Sequence, residues 1–210
     1  MKKILILIIS LLPIISYAQL FEGAIIGGMT ASQIDGDGQG GYHKIGFSTD
    51  IIAKLNINKK WKIISGVGIV TKGARSPFKY SYDIKKLSYA EIPIWTEYIF
   101  SKKFSFYFGL NYGYLINGYE ETTYARFNAQ DLNLLKHEIS TFFSANLKIS
   151  NNLSILISHN YSILPINKYN NVLTKNIFIY YILYNQQLHP LWWNNSLRLS
   201  LQYKIFSIKK

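Results

Sequence analysis

Two short stretches of this 210-residue chain hold side chains whose types and spacing could do chemistry. In "DGDGQGG" (Asp35–Gly41) two carboxylates lie two residues apart, as at the start of a calcium loop, where such oxygens share one hard cation. The twelfth position of such a loop needs a bidentate glutamate, and Gly46 stands there. The glycines serve a tight turn just as well. A turn is therefore the expected reading, with no metal and no other cofactor. In "SHNYS" (Ser158–Ser162) His159 lies between two serines, the base and nucleophile that a lipid hydrolase would need. On a strand, however, alternation groups His159 with Ile157 and Tyr161 and turns Ser158 and Ser162 the other way. No acid completes a triad, so no catalytic residue is assigned, and a histidine near an interface is the expected reading.

A third set of polar residues is defined by alternation. In "NNSLRLSLQYKIF" (Asn194–Phe206), Leu197, Leu199, Leu201, Tyr203 and Ile205 alternate with Arg198, Ser200, Gln202 and Lys204. Asp50, Glu91, Glu97 and Glu138 sit at comparable positions in other alternating stretches. If the apolar face meets lipid, these charges must point the other way, because Arg or Lys on the lipid face near mid-membrane costs about 2–4 kcal/mol. The spacing thus predicts a polar network inside a lumen, made of Asp50, Glu91, Glu97, Glu138, Arg198 and Lys204.

The elements that would position these side chains are strands. Period-two alternation runs through Lys44–Leu55, Phe104–Tyr114, Glu138–Ser150, Leu153–Ile163 and the final stretch. Phe21–Thr30, Trp61–Gly73 and Lys86–Phe100 are less regular and bring the count to eight. Most of these exceed the five or six residues usual in soluble sheets, and several reach the roughly 9–11 that a tilted strand needs to cross a bilayer. Short links (Asn56–Lys60, Ser101–Lys103, Ser150–Asn152) strictly alternate with long ones (Ala31–His43, Ala74–Lys85, Asn117–Lys136, Pro165–Trp193). That is the rule of outer-membrane barrels, with short periplasmic turns and long outer loops. Aromatic residues gather at both ends: Trp61, Phe100, Phe104 and Phe206 by short turns, and Tyr89, Tyr112, Tyr114, Trp192 and Trp193 by long loops. The expected fold is all-β, an eight-stranded antiparallel up-and-down transmembrane barrel. An interior of that size is filled by side chains, which argues against a wide pore.

The chain's start fits this destination. Lys2-Lys3, an apolar run over Ile4–Ile15 and small residues at Ser16 and Ala18 make a signal peptide, 1–18, cleaved after Ala18. The remaining 19–210 forms the barrel domain, and losing two lysines lowers the formal charge from +12 to +10. There is no cysteine, which excludes a lipoprotein anchor, disulfides and a thiol nucleophile. The positive charge does not point to nucleic acid: lysines pair at turns beside aromatic residues, as membrane-surface anchors do.

Three further motifs carry a resemblance: "SQIDGDGQGGYHKIGF" (Ser32–Phe47) after Gly27-Gly28, "KGAR" (Lys72–Arg75) and "YAEIPI" (Tyr89–Ile94). Together they resemble the PorT-like outer-membrane β-barrel family of Bacteroidetes, from the first strand to the last. The resemblance implies the barrel fold and, through the family's named member, a setting in protein secretion. The final outer loop departs from the family by its length.

That loop, Pro165–Trp193, contains the apolar run "NIFIYYILY" (Asn176–Tyr184). It is too short for a spanning helix and has strong β character. Ile177, Phe178, Ile182, Trp192 and Trp193 form a candidate partner-binding surface, because an exposed apolar patch has a use against another protein or the outer leaflet. The sequence therefore predicts a non-enzymatic, multi-pass protein of the cell outer membrane. It would act through its outer loops as a binding or assembly factor, with outer-membrane lipid and envelope or secretion proteins as partners. A narrow solute channel is the alternative, and a lipid-modifying enzyme stands behind it.

Overall fold

The computed structural model describes residues 21–77, 83–168 and 191–207. The signal-peptide segment and the loop residues Ile177, Phe178 and Ile182 lie outside the described residues. Among the described residues nine strands are formed: β1 (Phe21–Asp35), β2 (Lys44–Asn56), β3 (Trp61–Arg75), β4 (Asp83–Ile99), β5 (Phe104–Thr122), β6 (Arg126–Asn128), β7 (His137–Lys148), β8 (Leu153–Ser162) and β9 (Trp193–Ser207). Each long strand pairs antiparallel with its neighbours in sequence, β1 pairs with β9, and β4 pairs with β5, so the sheet closes on itself. The three-residue β6 pairs only with the outer end of β5, over Tyr119–Glu121, leaving an eight-stranded barrel wall. Closure gives every wall strand two partners and removes the edges that lipid could not hydrogen-bond.

Alternation sorts the side chains. On β9, Leu199 is 59% exposed while its neighbour Arg198 is 3% exposed. Across the pairings Met29–Leu199 and Ile157–Leu199, three apolar side chains share the outer face at one level. Among the described residues no helix is long and apolar enough to cross a membrane; the strands do the crossing.

Several wall strands run beyond the sequence-derived limits. β1 continues to Asp35 and β5 to Thr122, so part of what reads as outer loop is wall raised above the apolar band. The β4–β5 register shifts between Ser88 and Tyr89, where β5 carries one extra residue, Ile116. Two glycines show how tightly the wall closes around its contents. A Cβ at Gly28 would collide with the Leu199 carbonyl oxygen, and one at Gly68 would collide with Asp50 Oδ1. Neither site has room for a larger residue.

Candidate functional site

β4 serves as a ruler for the interior, because its inward side chains, from the outer end down, are Lys85, Leu87, Tyr89, Glu91, Pro93, Trp95 and Glu97, all buried. Charged and apolar levels alternate along it.

The central level is ionic. Glu91 places its two carboxylate oxygens 2.7 Å from Lys72 Nζ and 2.7 Å from Arg198 Nη2. Lys72 Nζ also lies 2.9 Å from Glu138 Oε1, which accepts a further bond of 2.9 Å from Ser162 Oγ. Asn194 Nδ2 donates to Glu138 Oε2 at 2.9 Å. Asp50, 3% exposed, faces the same space from β2. Five strands meet through these contacts, and the low dielectric of a buried interior makes each ion pair depend on its partner being present.

Apolar levels lie on both sides. Toward the short turns, Trp95 stacks on Phe142 with ring centroids 3.9 Å apart, inside a cluster with Ala24, Ile26, Ile52, Ile64, Tyr107 and Leu156. Trp95 Nε1 donates to Asn111 Oδ1 at 2.8 Å, and Asn111 in turn donates to Asn160. Toward the outer end, Ile34, Val70, Ala74, Leu87, Tyr89, Leu115 and Ile166 form a second apolar cluster. Buried side chains therefore occupy the lumen at three successive levels.

Beyond each apolar level lies another charged group. On the inner side, Lys54 Nζ lies 3.1 Å from Glu97 Oε2 and donates to Tyr107 Oη at 2.5 Å. At the outer rim, Lys85 Nζ lies 2.8 Å from Glu120 Oε1 and 3.5 Å from carboxylate oxygens of both Asp37 and Asp83. Burial raises the Asp37 carboxyl above its ordinary range, against the opposing effects of the Gln39 N–H and Lys85.

Of the residues singled out by sequence, Asp50, Glu91, Glu97, Glu138 and Arg198 are buried in the lumen. Lys204 is half-buried at the inner mouth and makes no ion pair with a described residue. Its surroundings are thus those of the rim and not of the central network. Trp192 is partly buried against the outer apolar cluster, with Lys85 Nζ 5.4 Å from its ring, and Trp193 lies half-buried opposite Asp35. Tyr89 departs from its expected place in the outer aromatic girdle: it is 1% exposed and turned into the lumen, on the same side of β4 as Glu91. Asp35 and Asp37 do not converge. Asp35 accepts from Gln33 and Asn195, whereas Asp37 accepts from the Gln39 N–H. His159 lies on the outer surface with Nε2 3.0 Å from Asn195 Oδ1, and Ser158 and Ser162 are buried in the lumen. Sequence reading left six lumen residues out of the network: Lys54, Tyr107 and Phe142, which lie on the polar sides of their alternating stretches, and Lys72, Lys85 and Trp95, which lie in the less regular strands.

Comparisons with known proteins agree with this geometry. Residues 17–171 match the family described as "Outer membrane protein beta-barrel domain". The chain belongs to that family. No curated relative matches the sequence. Among solved structures this outer-membrane barrel is similar to Ail, the attachment invasion locus protein of Yersinia pestis, solved with the heparin analogue sucrose octasulfate. The identity is 13% and the TM-score 0.52, covering 88% of this chain and 99% of that one. Two others are Neisserial surface protein A (8% identity, TM-score 0.46, 89% and 97% covered) and a major outer membrane protein of Thermus thermophilus (13%, 0.45, 90% and 100%). At such identity the Ail likeness speaks for the fold alone. The protein is an outer-membrane β-barrel, and the outer membrane is where it resides.

Proposed function

We propose that this barrel is a non-conducting, non-enzymatic protein that acts through its outer surface as a binding or assembly factor. The observation that carries this reading is the filled lumen. Buried apolar clusters on both sides of a layer of paired charges work against an open polar path for a solute. A narrow channel would need such a path, and a lipid hydrolase would need His159 within reach of a serine that shares its side of the wall. With interior and wall serving stability and insertion, the outer end offers the surface for a protein partner. There the extended β4–β5 wall, the β5–β6 hairpin and the base of the 165–193 loop stand above the apolar band. The resemblance to the PorT-like family names protein secretion as the setting and other envelope proteins as partners.

The test is cross-linking in intact outer membranes, followed by capture of the protein in its native form and with Asn176–Tyr184 deleted. The expected result is a discrete partner lost on deletion, while heat-modifiable gel migration shows the barrel still folded. A folded deletion variant that captures the same partners in the same amounts would contradict the reading.

A further inference from the structure

The inner mouth of the barrel, at the end that carries the short turns, is a closed-bottomed vestibule. It has a volume of about 210 Å³. Its floor is the Lys54–Glu97–Tyr107 group, held further by Tyr107 Oη donating to Gln202 at 3.1 Å and Ser105 Oγ donating to Glu97 at 2.8 Å. Behind that floor lies the Trp95–Phe142 stack.

The charges of this vestibule do not balance. Six lysines (54, 62, 102, 103, 148 and 204) line it against two glutamates, Glu22 and Glu97, a formal excess of four positive charges. Both glutamates are already engaged. Glu97 takes Lys54, and Glu22 receives Lys62 through both oxygens, at 2.9 and 3.0 Å. Lys102, Lys103, Lys148 and Lys204 make no ion pair with a described residue. These four approach one opening from three separate parts of the wall: the β4–β5 turn, the end of β7 and the end of β9. At the outer rim, by contrast, Lys85 lies within reach of three carboxylates, Asp37, Asp83 and Glu120.

We propose that the inner mouth is an anion-binding site for a phosphate group. A one-signed recess with low-dielectric walls focuses the field and concentrates counter-ions. Ammonium groups at several points of a rim suit the tetrahedral spread of phosphate oxygens. Neutral polar groups, Asn146, Asn152 and Ser154, fill the gaps between the lysines and can bond the remaining oxygens or an attached alcohol. The vestibule holds a headgroup-sized phosphate ester but no macromolecule. Two sources present that chemistry at this end: a soluble phosphate ester of the periplasm, and the headgroup of a phospholipid in the inner leaflet. The site is independent of the outer-surface reading, since it lies at the opposite mouth behind the filled lumen.

The full-length mature protein, reconstituted in zwitterionic nanodiscs, tests this by amide NMR. Inorganic phosphate and glycerol 3-phosphate are the soluble probes, and discs containing phosphatidylglycerol form the lipid arm. The expected result is a saturable shift of the signals of residues 101–104 and 148–152, with the outer-rim signals unmoved. A variant with Lys102→Gln, Lys148→Gln and Lys204→Gln should weaken binding about eightfold, at roughly a factor of two for each cation. Lys59→Gln with Lys60→Gln, on the neighbouring turn outside the vestibule, should leave binding unchanged. A response to the soluble probes names a free phosphate ester as the source, and a response in the lipid arm alone names the headgroup. The proposal is overturned by no saturable shift in either arm, by an equal response to chloride, or by an equal loss in the Lys59/Lys60 variant.

Discussion

Replacing Arg198 with methionine should be among the most damaging single substitutions in the wall. The central level holds three carboxylates, Asp50, Glu91 and Glu138, against two cations, Lys72 and Arg198. Removing the guanidinium takes a 2.7 Å partner from Glu91 and leaves Asp50 without its principal opposing charge. Lys72 then faces all three acids. Stranding a buried charge in this way costs about 3–5 kcal/mol. Lys204→Met is the internal control: it lies on the same strand and alternation, but it is half-buried at the mouth and makes no ion pair with a described residue, so its cost should stay within about 0.5 kcal/mol. Arg198→Lys should recover much of the loss, because the guanidinium makes a single hydrogen bond to Glu91 through Nη2 and is not bidentate there. Arg198→Met combined with Glu91→Met should be more stable than Arg198→Met alone, since Lys72 keeps Glu138 at 2.9 Å. Equilibrium urea unfolding in lipid vesicles, followed by tryptophan fluorescence and heat-modifiable migration, measures all four. An Arg198→Met barrel within about 1 kcal/mol of wild type, or one no less stable than Lys204→Met, would refute the account of a closed ionic layer.

Other substitutions test other parts of the structure. Leu199→Arg, on the lipid face, should cost about 2–4 kcal/mol in vesicle unfolding, while Leu199→Ile stays near wild type; equal stability would count against the side assigned to that face. Gly28→Val should lower the stability measured by unfolding by about 1–3 kcal/mol, as overpacking against the Leu199 carbonyl requires, and an unchanged midpoint would show slack in the wall. Trp95→Ala should cost about 3–5 kcal/mol through the lost stack with Phe142, read by the same unfolding curves. Mass spectrometry of the mature protein should find its N-terminus at Gln19, and an intact Met1–Ala18 segment would contradict the predicted cleavage.

Alternation made the wall legible from sequence, but unevenly. Strands such as β5 and β9 read cleanly because polar and apolar residues split between their two sides. β1, β3 and β4 read as irregular for a structural reason: their inward positions include Ala24, Ile26, Ile64, Val70, Leu87 and Trp95, which build the apolar levels of the lumen. Both sides of those strands are apolar, so polarity no longer marks the interior. The same cause misplaced Tyr89. An aromatic residue near a long loop reads as an interface anchor, yet Tyr89 shares its alternation with Glu91 and closes the outer apolar level. Parity along β4 carried the answer, and residue type pointed away from it. The acids of the central level were legible because a charge on the lipid side is costly. Lys72 was not, because "VTKGAR" breaks the alternation at the outer end of β3, where Thr71, Lys72, Gly73 and Ala74 are all buried. The three residues of β6 are too short to show any period.

The central claim, a barrel whose lumen is filled and whose activity therefore lies outside it, is tested most directly by planar-bilayer recording of the refolded native protein. The filled lumen predicts a membrane current that stays at the lipid baseline, with no discrete steps at any applied voltage that the bilayer tolerates. Reproducible single-channel steps from the native barrel would contradict it.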